Sequence, residues 1–199
     1  MNKLLDLVEY HKWKCTEVTN NGFRFYASVG AAEIDKKIRF PPNLKKKICI
    51  PEDINSFYDQ KNKAGVYERL WDLTIMSLCS DIEYFFKGII DYLCPEKPIK
   101  RNDFQNVDFV INKLEIIGYF DFTKIGADIS NIKECFQVRH IATHNMGYVD
   151  TKFIKWVKDT IFKINEKYIV DEKTYQRFYE SYMAILDNIS QSLEKLEAN

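Results

Sequence analysis

The sequence has little of what marks the most easily recognised classes of protein. Its 199 residues include only seven glycines and five prolines, and no glycine-rich loop of the kind that cradles a nucleotide phosphate. No window reaches about 18 uninterrupted apolar residues, and no apolar signal core follows the charges at the N-terminus. We therefore expect a cytoplasmic protein with no membrane partner.

Metal sites and disulfides are also weakly indicated. The five cysteines are an odd number, and no two of them have the Cys-x-x-Cys spacing of a zinc site. Such usage fits a reducing compartment. His140 and His144 have the spacing of half a zinc site, but Ile141 stands where zinc proteases have a glutamate. We therefore expect no metal and no cofactor.

Net charge gives no sign of a nucleic-acid-binding protein, because 29 basic residues balance 29 acidic ones. The distribution is uneven, however. Residues 36 to 47 carry six cations and no acid, which is enough to contact a phosphate backbone, although a solvated basic loop explains them equally well. Hydrophobic residues make up 46% of the chain and aromatic residues 15%, so a substantial core can form.

Hydrophobic periodicity divides the chain into a segment 1–60 and a segment 61–199. In the first, a short helix is followed by Thr16 to Thr19, an Asn-Asn-Gly turn and an alternating stretch that begins at Phe23, a pattern typical of a hairpin. With two further short candidate strands, we expect a small antiparallel β-sheet over residues 14 to 50.

The second segment repeats apolar residues at i, i+3, i+4 and i+7, which indicates helices. A long central helix is expected from about residue 65 to Cys94, where Pro95 ends it. The other predicted helices cover residues 103 to 117, residues from about 128 to the stop at 145–147, residues from Asp150 through Ile164, and residues 172 to 197. The predicted fold class is mainly α, a helical bundle of about five helices with the small N-terminal antiparallel β-sheet.

The most distinctive stretch is Glu134 to Gly147, which we call the motif helix. Arg139 falls near the middle of its apolar face at about 100° per residue, where a guanidinium needs a carboxylate, a phosphate or a second subunit. A structural ion pair is the plainer alternative. Arg139 and His144 would point about 140° apart on a straight helix, too far to grip one atom. Either the helix ends between them, or another copy of the chain completes the site.

The central helix offers two acidic partners for Arg139. Asp81 and Glu83 lie at the margins of its apolar stripe, about 90 to 110° from the stripe's centre. An acid there can reach the arginine and fix its orientation. Simple solvation of both carboxylates is the alternative.

Residues Arg139 to His144, Arg-His-Ile-Ala-Thr-His, resemble the Arg-x4–6-His motif of the HEPN superfamily, and the following Asn145 to Gly147 resemble the close of that helix in its ribonuclease branch. The resemblance extends over roughly residues 65 to 197 and leaves the first sixty or so unexplained. It implies a HEPN-like bundle with an acid on the central helix, and the position of Glu83 favours it for that role.

The resemblance implies a metal-independent endoribonuclease that uses the 2′-hydroxyl of RNA and leaves 2′,3′-cyclic phosphate ends. His144 suits the proton transfers, because imidazole titrates near neutral pH, and Arg139 suits the phosphate, because its charged fork binds two oxygens. His140 and Asn145 are supporting or RNA-binding candidates. Single-stranded or looped RNA is the expected substrate.

HEPN ribonucleases pair two motifs across a dimer cleft, so the resemblance also implies a homodimer through the motif helix. It implies a setting as a toxin or antiphage effector, restrained by an antitoxin or another regulatory protein. A HEPN dimer that has lost catalysis and serves as a binding or assembly module predicts the same helices and the same dimer. The presence of Arg139, His140, His144 and Asn145 together favours the enzyme.

Overall fold

A computed structural model describes residues 2–21, 66–96, 101–118, 120–158 and 160–198. These residues form six α-helices: α1 (Asn2–Lys14), α2 (Val66–Leu93), α3 (Val107–Gly118), α4 (Gly126–His144), α5 (Thr151–Trp156) and α6 (Glu172–Ala198). A π-helical turn follows α1, and short 3-10 turns precede α3 and α4. The prediction of a mainly α fold is confirmed. Across the described ranges, no helix is both long and apolar enough to cross a membrane.

Helix α2 is the centre of the bundle and packs against α1, α3, α4 and α6. Its apolar residues recur every three or four positions, so they form a continuous buried face. Each such side chain contributes about 1.5–3 kcal/mol when it is fully removed from water. The helix ends where expected, with Cys94 N donating to Ile90 O at 2.8 Å just before Pro95. The buried members are Ile75, Leu78, Cys79, Ile82, Phe85, Phe86, Ile89 and Ile90.

A polar network fixes α4 to α6. Arg177 donates from Nη1 and Nη2 to the two carboxylate oxygens of Glu134, at 2.7 and 3.1 Å. Tyr168, in the chain that leads into α6, donates to the same carboxylate at 2.6 Å. Burial, together with this neighbouring carboxylate, raises the pKa of Tyr168, so the phenol stays protonated and remains a donor. The motif helix is therefore held along one side by an ion pair as well as by apolar packing.

The small N-terminal sheet predicted over residues 14 to 50 is not seen in the part of that segment that the structure describes, residues 14–21. Thr16 to Thr19, the expected first strand, lies in the π-helical turn Cys15–Asn20, and residues 22–65 lie outside the described residues. The β-branched threonines favour a strand only weakly, whereas helical spacing keeps one side of this segment buried. Thr19 also donates from Oγ1 to Asp81 Oδ2 at 2.5 Å. The buried positions are Leu4, Val8, His11, Cys15, Thr19 and Asn20.

Residues 2–21 share their core with the rest of the bundle. Helix α1 packs against α2 and α6, and Lys14 Nζ lies 2.5 Å from Asp81 Oδ1. Asp81 is therefore paired with the N-terminal segment and not with Arg139.

Helix α5 is shorter than predicted. It ends at Trp156, because Val157 adopts an extended conformation, and Ile161, expected on its buried face, is 88% exposed. The chain instead turns back and pairs its backbone with the residues that follow α4. Val149 N donates to Glu166 O and Tyr168 N donates to Gly147 O, both at 2.9 Å.

Candidate functional site

Helix α4, which carries the motif residues, is unbroken from Gly126 to His144, so it does not end between Arg139 and His144 as one alternative required. It stops just beyond, where the N–H groups of Asn145 and Gly147 both donate to Ile141 O, at 2.8 and 3.0 Å. Gly147 has a φ of +83°, a left-handed conformation that glycine adopts without steric cost. The sequence Asn-Met-Gly is thus a helix stop, and it places His144 in the last turn.

A cleft of about 300 Å³ lies along α4 and contains Arg139 and His144 in one wall despite their angular separation. One face of α4 forms this wall, and the N-terminal end of α3 and the short helix α5 form the others. The cleft is lined by Gln105, Asn106, Val107 and Asp108 before and at the start of α3, by Lys133, Phe136, Gln137, Arg139, His140, Thr143 and His144 from α4, and by Lys152 and Trp156 from α5.

Arg139 is held in the cleft wall by an ion pair. Its Nη1 donates to Glu83 Oε1 on α2, so the contact expected between these two residues is present. The pair is partly buried, with 27% of the arginine side chain and 18% of the glutamate side chain exposed. A guanidinium has five N–H donors, and a contact through Nη1 does not exhaust them. Glu83 therefore orients the arginine and leaves it able to bind an anion in the cleft.

His140 and His144 stand one turn apart with their ring centroids separated by 5.0 Å. Burial lowers the pKa of His140, the positive charge of Lys152 lowers it further, and Asp150 acts in the opposite direction. The Nε2 of His140 is 3.7 Å from Asp150 Oδ2, beyond hydrogen-bond distance. His140 is therefore neutral near pH 7 and carries one ring nitrogen that accepts a proton.

Replacing Asp150 tests this balance, because the residue has two separable roles. Its side chain caps α5 by accepting from Phe153 N at 2.7 Å, and its charge raises the pKa of His140. Asp150→Asn keeps a good cap, so we expect unchanged stability and a lower His140 pKa in an NMR titration. Asp150→Ala, the matched control, also loses about 1 kcal/mol of stability. A His140 pKa unchanged in both variants would contradict the assignment.

Asn145 is not among the described residues that line the cleft. Its side-chain Nδ2 donates to Tyr148 O at 2.5 Å, which closes the turn after α4. Tyr148, expected as a base-stacking residue, is likewise not among the lining residues and lies beneath the Nζ of Lys167, 5.9 Å from its ring centroid. Phe136 lines the cleft but is almost fully buried. A contact between Asn145 and RNA stays a prediction.

Among the cleft residues that were not singled out from the sequence are Lys133, Lys152 and Trp156. Lys133 lies seven residues before His140, two turns along the same face, and this spacing was a usable sign. Lys152 and Trp156 follow the cap Asp150, and their position depends on how α5 packs against α4. The basic run of residues 36 to 47 lies outside the described residues.

The lining side chains favour an anion. Lys133, Arg139 and Lys152 are cationic and Asp108 is the acid among them, paired with Lys133 across the cleft. In the part of the chain that the structure describes, no three His, Cys, Asp or Glu residues are grouped so as to hold a metal ion. The charges thus fit a phosphate group between Arg139 and the histidines.

No match is found. The chain matches no protein-family model, and comparisons with curated proteins and with solved structures find no match either.

Proposed function

We propose that the protein is a metal-independent endoribonuclease of the HEPN type. The observation that carries the proposal is that Arg139, His140 and His144 line the same cleft. An ion pair with Glu83 holds the arginine in place. Transesterification of RNA requires a proton acceptor, a proton donor and fixed positive charge at the phosphate, and these side chains supply all three.

In the proposed reaction His144 accepts the proton of the 2′-hydroxyl, and the 2′-oxygen forms a bond to phosphorus. Arg139 binds the non-bridging oxygens, on which negative charge grows. The bond from phosphorus to the 5′-oxygen then breaks, and that oxygen takes up the proton that His144 has accepted. The products are a 2′,3′-cyclic phosphate and a free 5′-hydroxyl. Neutral His140, one turn away from His144, orients the phosphate or the neighbouring imidazole.

The active form in this proposal is a homodimer through α4. Met146 and Tyr148, in the turn that follows that helix, are large exposed residues that would give such an interface an apolar contact. We further propose a role as a toxin or antiphage effector that an antitoxin or other regulatory protein restrains. The motif resemblance supports this setting, and single-stranded or looped RNA is the substrate that a cleft of this kind accepts.

One observation favours a second candidate, an inert HEPN dimer that serves as a binding or assembly module. Arg139 is already paired with Glu83, and a purely structural ion pair would have the same geometry. This candidate predicts a dimer that binds RNA or a protein without cleaving it.

Cleavage of RNA in excess EDTA separates the two candidates. We expect purified protein to cut a single-stranded RNA, and we expect end-group analysis to find 2′,3′-cyclic phosphates, because no step needs a metal. His144→Ala should cut about 10²–10⁴-fold more slowly, since it removes the general base. Circular dichroism and sedimentation establish that both proteins are folded and have the same oligomeric state. A parent protein that leaves RNA intact, or a variant that cuts equally fast, would favour the binding module.

A further inference from the structure

Trp156 is the large aromatic residue of the cleft that is not committed to the core. It is the last residue of α5, it lines the cleft, and 42% of its surface is exposed. Lys155 Nζ lies over its ring, 5.7 Å from the centroid. Phe136, in the same cleft, is by contrast buried in the bundle.

Helix α5 presents a cation beside this ring. Lys152 and Trp156 are four residues apart, so they lie on the same side of the helix, and both line the cleft. The start of α5 is also close to the histidines, since Asp150 lies against His140. A positive charge and an open aromatic ring one turn apart are the pairing used to hold the phosphate and the base of a single-stranded nucleic acid.

Gln137 brings a buried polar atom to the cleft. The Oε1 atom of Gln137 is buried and accepts no hydrogen bond from the residues that the structure describes. Gln137 lines the cleft, about one turn before His140 and two turns before His144. A buried acceptor of this kind needs a donor, and the N–H groups of a base or the hydroxyl of a ribose are suitable donors.

We propose that Trp156 is the base-stacking platform of the cleft, and that the cleft takes one unpaired nucleotide with its base on this ring and its phosphate towards Lys152 and Arg139. The inference rests on the proposed function in that RNA is the ligand, and it adds the residue that selects unpaired over paired strands. A duplex keeps its bases stacked on each other and cannot offer one to the ring. At about 300 Å³ the cleft is at the small end of ligand sites, which fits a single nucleotide. Every base has a π-face, so we expect little sequence preference at this position.

The test is equilibrium binding of a fluorescein-labelled, 2′-fluoro single-stranded RNA, which lacks the attacking hydroxyl and therefore cannot be cut by the proposed route. Trp156→Ala should weaken binding at least about fivefold, whereas Trp156→Phe keeps a ring and should retain most of the affinity. Trp13→Ala is the matched control, because Trp13 is also well exposed but belongs to α1 and is not among the lining residues. An abasic site is then placed at each position of the oligonucleotide in turn. At the position whose base stacks on Trp156, the parent and Trp156→Ala should bind the abasic oligonucleotide with equal affinity.

The outcomes separate this inference from the proposed function when unmodified RNA is tested for cleavage beside the probe. If Trp156→Ala loses binding and the parent protein does not cut RNA, the result supports the stacking platform and rejects the proposed ribonuclease activity. Equal binding by the parent and Trp156→Ala overturns the platform, even where cleavage is normal. A parent that binds a duplex probe as tightly as the single strand, or that binds neither, also overturns it.

Discussion

Replacing Arg139 by alanine is expected to lower the rate of RNA cleavage by about 10³-fold. Charge grows on the non-bridging oxygens as phosphorus becomes five-coordinate, and a fixed guanidinium in a partly buried site stabilises that charge more than water does. The Glu83 contact fixes the group before substrate binds. The measurement is single-turnover cleavage at saturating protein, so that a change in RNA affinity does not mask the change in rate.

Two further variants distinguish charge from geometry. Arg139→Lys keeps the positive charge but lacks the planar fork, so it should recover little of the lost rate. Glu83→Gln leaves Arg139 charged but removes the carboxylate that holds it, and we expect a smaller loss, about tenfold, that falls on kcat with KM nearly unchanged. Glu83 is in this sense a positioning residue. If Glu83→Gln lowered kcat/KM only because less of the protein is folded, the contact between Glu83 and Arg139 would instead be a structural ion pair.

Arg177 provides the matched control for Arg139. It is also an arginine bound to a glutamate between two helices, but it is not among the residues that line the cleft. Arg177→Ala should therefore destabilise the bundle, because Glu134 loses its bidentate partner, while the folded fraction cuts RNA at the rate of the parent. A loss of rate in both arginine variants would contradict a specific role for Arg139.

Mixing two inactive variants tests whether the active sites of the proposed dimer combine residues from both copies. If each active site takes Arg139 from one copy and His144 from the other, then heterodimers of Arg139→Ala and His144→Ala contain one intact site. A randomly exchanged mixture should then recover about a quarter of the parent's activity. Recovery requires composite sites, because a cleft that uses both residues of one chain stays inactive in every combination.

The elements that the sequence predicts well are those whose burial is periodic over many turns. Helices α2 and α6 have long apolar stripes, and both were placed to within a few residues. The prediction failed where a short segment had two readings. Thr16 to Thr19 alternates like a strand, yet it also continues the helical spacing of α1, and burial against α2 decided the outcome. Ile161 and Ile164 have the spacing of a helix, but the residues that follow them, 165–168, pair their backbone with residues 147–149. This pairing does not permit a helix there.

The cleft was predictable in part, because the regular geometry of a long helix limits which side chains can meet. Arg139 on an apolar face requires a partner, and helix geometry left two acids of the central helix, Asp81 and Glu83, within reach. The resemblance to HEPN proteins favoured Glu83, which is the residue that pairs with Arg139. Trp156 and Lys152 were not predictable in this way. Their place in the cleft depends on the packing of a six-residue helix against α4, and a helix of that length has too few turns to show which side is buried.

Acidification from pH 7 to pH 4 is expected to remove about 3 kcal/mol of stability through His11 alone. This residue is fully buried against aromatic rings, and neither of its ring nitrogens has a hydrogen-bond partner among the described residues. Burial, with a smaller effect of the Lys14 charge, lowers its pKa to about 4, although Asp81 acts in the opposite direction. The surrounding rings belong to Tyr10, Tyr84 and Phe85, with centroids 5.2 to 5.7 Å away.

The direction of the pH effect on stability follows from the pKa of His11 in the unfolded and folded states. Unfolded, His11 binds a proton below its ordinary pKa of 6.5, whereas in the folded protein it stays neutral down to about pH 4. The unfolded state therefore binds more protons between these values, and the free energy of unfolding falls as pH decreases through that window. Urea unfolding at several pH values between 7.5 and 4 measures the effect. His11→Leu removes the titrating group while Lys14 and Asp81 remain, so its free energy of unfolding should fall about 3 kcal/mol less than that of the parent. If the free energy of unfolding fell equally with pH in the two proteins, His11 would have the same pKa in the folded and unfolded states. Its ring would then be accessible to water beside α1.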